Sequence, residues 1–85
     1  RTLDEELVTI RAMLEMSGVQ VEIDNQLNVA SIPPSQQSTI SMILLEAATN
    51  IIKHAKAKKS NFSLIKKNEK LILDIQDDGC GFQKL

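Results

Sequence analysis

Between Leu3 and Met16 the apolar residues Leu3, Leu7, Ile10 and Leu14 recur every three or four positions, while Asp4, Glu5, Glu6 and Arg11 fall off that face. This spacing predicts an amphipathic helix. Ser17-Gly18 supplies its stop, because glycine accepts the left-handed backbone of a helix end. Val19, Val21 and Ile23 then alternate with Gln20, Glu22 and Asp24, the period of a short strand. Asp24 to Asn28 is turn-rich, and Val29 to Ile32 is expected to form a brief edge strand before Pro33-Pro34 blocks further pairing. After the prolines, Ser35 is the expected N-cap of a long central helix running to about Ala57, with Ile40, Ile43, Leu44, Ala47 and Ile51 along one stripe. Asn61 to Ile65, a turn at Lys67-Asn68-Glu69, and Leu71, Leu73 and Ile75 alternating with Lys70, Asp74 and Gln76 describe two adjacent antiparallel strands. The second runs directly into Asp77-Asp78-Gly79-Cys80-Gly81. This order predicts an α+β fold, a two-layer α/β sandwich in which helices cover one face of a mixed, mostly antiparallel sheet.

The 85 residues fit one domain, 1–85, near the size at which a single core is only marginally sufficient. With 10 Lys and Arg against 11 Asp and Glu, the net charge of -1 creates no global field towards nucleic acid or membrane. The two aromatics, Phe62 and Phe82, offer little surface on which bases could stack. Neither nucleic acid nor direct membrane contact is therefore expected. Lysines concentrate at Lys53, Lys56, Lys58, Lys59, Lys66, Lys67 and Lys70, where solvated surface accounts for most of them. Cys80 has no disulfide partner, and one Cys with one His makes no zinc set, pointing to a reducing, cytoplasmic setting. Neither the roughly 20 apolar residues of a membrane span nor a signal peptide's hydrophobic stretch occurs, so a soluble domain is expected.

The chemistry falls in two places. On the central helix Glu46, Asn50 and Lys53 are spaced by four and three and project from one face, with His54 beside them. An ordinary solvated helix face would look the same, but asparagine competes with its own backbone in mid-helix, so Asn50 beside Thr49 runs against local preference. An amide oxygen is a hard, neutral ligand that magnesium accepts alongside phosphate oxygens and water. Lys53 would bring a point charge to phosphate. His54 is either a plain surface imidazole or a phosphate donor, and it has no partner at triad spacing. The second place is Asp77-Asp78-Gly79-Cys80-Gly81-Phe82 at a strand end, which by itself reads more readily as a glycine turn than as an adenine pocket. In the pocket, Asp77 would accept from an exocyclic amine, while Gly79 and Gly81 would let backbone approach a flat base. Neither G-x-x-x-x-G-K-[ST] nor G-x-G-x-x-G occurs.

Taken together, Leu45-Glu46-Ala47-Ala48-Thr49-Asn50-Ile51-Ile52-Lys53-His54-Ala55 and Asp77-Asp78-Gly79-Cys80-Gly81-Phe82 resemble the asparagine box and first glycine box of the Bergerat-fold ATPases. The form E-A-x-T-N-x-x-K-H-A, with Glu6-Leu7, Leu14-Glu15 and Gly18-Val19-Gln20-Val21 ahead of it, is similar to sensor histidine kinases of the nitrate-sensor and membrane-fluidity-sensor type. The resemblance implies an ATP-binding catalytic domain in which Asn50 helps hold Mg²⁺, Lys53 and His54 approach the phosphates, and Asp77 reads the adenine amino group. Gly79 and Gly81 would shape the base pocket, and Glu46 would polarise the acceptor histidine. Cys80 is expected to be a tolerated small side chain and Asp78 a structural or solvent-facing one.

The same resemblance implies a histidine-bearing dimerisation domain in a homodimer, a response regulator as receiver, and a parent attached to the bacterial cell membrane. The family's lid and later glycine-rich segments have no counterpart in Phe82-Gln83-Lys84-Leu85, and the only histidine is His54. A domain truncated at its C-terminus is therefore expected, inactive by itself and weak or silent in ATP binding. Two other readings stay open: an anti-sigma serine kinase or switch protein of the same superfamily, and a vestigial, non-catalytic interaction module.

Overall fold

The computed structural model describes residues 2–79. Helix α1, Leu3–Met16, opens on a capping box. The Thr2 hydroxyl accepts from the Glu5 amide at 3.2 Å, and the Thr2 amide donates to the Glu5 carboxylate at 2.9 Å. These bonds satisfy two groups that a helix start otherwise leaves open. Leu3, Leu7, Ile10 and Leu14 are all buried, as their spacing predicts, and Glu6, expected off that face, is buried beside them. Gly18 takes φ +83°, and the Val19 amide donates back to the Leu14 carbonyl at 2.9 Å, closing the helix end.

Strand β1, Gln20–Asn25, follows. The Arg11 guanidinium donates to its Val21 carbonyl at 3.1 Å, tying α1 to the strand. The edge strand expected at Val29 to Ile32 is instead a 3₁₀ turn, Val29–Ser31. Its hydrogen bonds are met locally, with the Ser31 amide and hydroxyl both donating to the Asn28 carbonyl. The Gln37 side-chain amide takes up the Val29 and Ile32 carbonyls at 3.1 and 2.9 Å, so these groups need no neighbouring strand.

Helix α2 spans Pro34–Asn50. Its N-cap is Pro33 rather than Ser35, and Pro34 occupies the first turn, where a missing N–H costs nothing. The helical path goes on as a π-helical turn, Ile51–Ala55, and stops there because Lys56 turns left-handed at φ 54°. The expected end near Ala57 is thus two residues too late. The buried stripe is Ile40, Leu44, Ala48 and Ile51. Ile43, expected within it, is 46% exposed, and Ala47 is only half-buried. Rows of residues four apart lean along a helix, so α2 buries the row through Ala48 and turns Ile43 and Ala47 aside.

Strand β2, Lys59–Lys67, extends beyond the expected Asn61 to Ile65 at both ends, and β3, Lys70–Asp77, covers the expected alternation from Lys70 to Gln76 and one residue more. They are joined by Asn68 and Glu69, both at positive φ, the backbone of a two-residue hairpin turn that follows strand twist. β2 lies in the middle, parallel to β1 (Gln20 opposite Lys59) and antiparallel to β3 (Ser60 opposite Asp77, Lys67 opposite Lys70). The fold is α+β with a mixed sheet and helices, compatible with a two-layer sandwich. Within the described residues the sheet holds one parallel and one antiparallel pairing. Val21, Phe62 and Leu64 join the helix residues in one apolar core, with Leu71, Leu73 and Ile75 packed at its margin. Glu22, Asp24, Lys59, Asn61, Asp74 and Gln76 are exposed and, by alternation, share the opposite face.

Candidate functional site

Glu46 and Asn50 are one turn apart on α2 and both exposed, as their spacing predicts. With Met42, Ile43 and Ala47 they border a shallow depression of about 430 Å³. Its floor is apolar and its rim carries the carboxylate and the amide, an arrangement suited to a ligand with one flat or apolar part and one polar part.

Asn50 is the last α-helical residue. The Ile51 amide is shared between the Ala47 and Ala48 carbonyls, and the π turn begins at this residue. Lys53 and His54 lie on that turn, both exposed. An i→i+5 bond pattern widens the helix, so these two residues are displaced from where a continued α-helix would put them relative to Asn50. π turns occur often at functional positions. Cations at a helix C-terminus also sit favourably against the helix dipole.

Asp77 ends β3 opposite Ser60 and, by alternation, stands on the helix-covered face with Ile75 and Leu73. Its Oδ1 accepts the Gly79 amide at 2.7 Å. That bond fixes the carboxylate at the strand end and leaves its second oxygen able to accept from a ligand. Asp77 borders a second depression, about 240 Å³, with Lys59, Ser60, Asn61, Gln76 and Asp78. Gly79 is half-buried, whereas Cys80, Gly81 and Phe82 lie outside the described residues. The helix half of the candidate set thus gathers Glu46 with Asn50, and Asp77 anchors a separate half at the sheet end.

Asp78 is tied into the structure more firmly than any of these. Its Oδ1 accepts the Lys58 amide at 2.8 Å and the Lys59 amide at 3.0 Å, while its own amide donates to the Lys59 carbonyl at 3.1 Å. The backbone donors of Lys59 and Lys58 hold its carboxyl below the usual aspartate range, because they bond the charged form better than the neutral one. No signal in the sequence shows this, since the partners are backbone groups some twenty residues upstream.

For a metal, the donor chemistry is restrictive. Among the described residues no group of three His, Cys, Asp or Glu could hold one. Asn50 offers a single neutral oxygen, which suits magnesium only if phosphate and water complete its shell. Among the described residues no helix is long and apolar enough to cross a membrane.

No protein-family model matches the chain. It is similar to the sensor histidine kinase YvfT of Bacillus subtilis, with 36% identity over 83 residues, covering 98% of this chain and 22% of that protein. The sensor histidine kinase YxjM of the same organism is 39% identical over 71 residues, 82% of this chain and 18% of that protein. The nitrate/nitrite sensor protein NarX of Escherichia coli is 31% identical over 64 residues, 75% of this chain and 11% of that protein. The chain spans about a fifth, or less, of the length of the curated relatives it matches. By these likenesses, over nearly its whole length, the chain is a homologue of one segment of the sensor histidine kinases.

Proposed function

We propose that residues 1–85 form part of the ATP-binding catalytic domain of a sensor histidine kinase, of the nitrate-sensor and membrane-fluidity-sensor type, acting in two-component signalling. The observation that carries this reading is the pairing of exposed Glu46 and Asn50 on one apolar-floored depression, immediately ahead of Lys53 and His54 on the π turn. Asn50 would offer its amide oxygen to Mg²⁺, Lys53 and His54 would meet phosphate oxygens, and Asp77 would accept from the adenine amine, with Gly79 and Gly81 forming the base pocket. Bound magnesium supplies charge neutralisation across the phosphates. Glu46 would orient the acceptor imidazole at the edge of the same depression.

In this reading the phosphoryl group passes from ATP to a histidine on the dimerisation domain of the homodimeric parent, and then to a response regulator. The parent is placed at the bacterial membrane with this domain on the cytoplasmic side. The kinase relatives favour this assignment over the serine-kinase or switch protein and over the vestigial module.

The test is phosphohistidine formation from radioactive ATP by the intact protein carrying this chain. Asn50→Ala is expected to lower labelling at least about 100-fold, as loss of a metal-orienting group does. Its melting temperature should not fall, because alanine is the better helix former. Undiminished labelling in Asn50→Ala would remove the assignment.

A further inference from the structure

We infer that Asp78 is a positioning residue of the nucleotide site, clamping the exit of the asparagine-bearing helix to the end of β3; this rests on the reading proposed above. The chain leaves the π turn through Lys56 in a left-handed conformation and enters β2 at Lys59. Lys53 and His54 therefore hang from a short connection whose far end is the Lys58-Lys59 pair. That pair is held from two sides. The Gln20 amide of β1 donates to the Lys58 carbonyl at 2.8 Å, and the Asp78 carboxylate accepts both the Lys58 and Lys59 amides. Asp78 returns its own amide to the Lys59 carbonyl.

One exposed residue thus makes three hydrogen bonds to the segment that follows the phosphate-facing turn. Its chain neighbour, Asp77, is the adenine-facing carboxylate, bonded forward to Gly79. The two halves of the site border different depressions and are carried by different elements. Asp78 is a side-chain link that fixes one against the other. A nucleotide bridging both halves binds best when their spacing is set beforehand, so a loose clamp weakens binding with every contacting side chain still present.

Position and charge are separable here. Asp78→Asn keeps an acceptor oxygen at the same place without the charge, whereas Asp78→Glu keeps the charge and shifts the acceptor by one methylene. We expect a fluorescent ATP analogue with Mg²⁺ to bind the intact Asp78→Asn protein within about threefold of the unmodified protein, a neutral acceptor being only somewhat weaker. Asp78→Glu and Asp78→Ala should bind about tenfold more weakly, with faster amide exchange at Lys58 and Lys59. Retained binding in Asp78→Glu with loss in Asp78→Asn would make the role one of charge and overturn the inference. Equal binding by all variants would overturn it while leaving the ATP reading intact. Absence of binding by the unmodified protein would remove the ATP reading, and this inference with it. If Asp78→Ala does not fold, the Asn and Glu pair decides alone.

Discussion

Helices α1 and α2 lie against one another in the same core, yet they are built to different standards. In α1 the caps and the core stripe agree, Glu6 alone being buried against the pattern: a capping box at Thr2, a stripe of three leucines and one isoleucine fully or nearly buried, and a glycine stop at Gly18. In α2 the start has no side-chain cap, the buried row narrows to Ala48, and the end loosens into a π turn. Apolar side chains stay exposed on both helices, Val8 and Met16 on α1 and Met42, Ile43 and Leu45 on α2, but only α2 carries an asparagine, Asn50, at a place that asparagine does not favour. Agreement of local rules belongs to scaffold, and their violation collects where we place the chemistry. α1 holds the shape that α2 uses.

The sharpest way to break this contrast is truncation on each helix. Leu14→Ala, at a fully buried position of α1, should cost about 2–5 kcal/mol. Met42→Ala, 71% exposed on α2, should stay within about 0.5 kcal/mol. Urea midpoints measure both, and a comparable cost at Met42 would mean that the outer face of α2 is packed after all. A smaller effect is expected at the stop of α1. Gly18→Ala would meet no atom within 4 Å, so its cost is backbone strain at φ +83° alone, about 1–2 kcal/mol. A neutral result there would show that the α1 terminus relaxes freely. The smallest comparison sets the two helix starts side by side: Thr2→Ala should cost about 1 kcal/mol and Ser35→Ala no more than about 0.3 kcal/mol in thermal melts. A larger loss at Ser35 would restore it as a cap.

Much of this was legible in the residues, for reasons that differ by element. The α1 stripe and the alternation of Val21 and Ile23 are patterns of nearest neighbours and appear in place, and the turn expected over Lys67-Asn68-Glu69 is found at Asn68-Glu69, with Lys67 still in β2. Glu46 and Asn50 share a face because both lie within regular α-helix. Lys53 does not follow them in the same simple way, because no residue type announces the change to a π turn at Ile51. The strand expected at Val29 to Ile32 failed for a different cause: Gln37, several residues ahead, satisfies the carbonyls that a strand partner would have taken. Ser35 fits a cap only if the helix starts after Pro34, whereas Pro34 is the first helical residue. Asp78, expected to be structural or solvent-facing, is both, but its partners are not legible in the sequence, since they are amides brought near by the pairing of β2 with β3.

The central place of β2 also orders events in time. Its pairing with β3 closes over two residues, Asn68 and Glu69, and needs little loss of chain freedom. Its pairing with β1 requires that everything from Gln26 to Lys58, including all of α2, first be brought into a closed loop. Local contacts form before distant ones when closure entropy governs the path. By that rule the hairpin is expected to form first, with the parallel strand docking as the helices settle. The Lys58-Lys59 junction, flanked by β1 on one side and Asp78 on the other, acquires its full set of bonds only when that last strand arrives. On the function proposed above, the side of the site assigned to phosphate would complete its geometry only with that pairing.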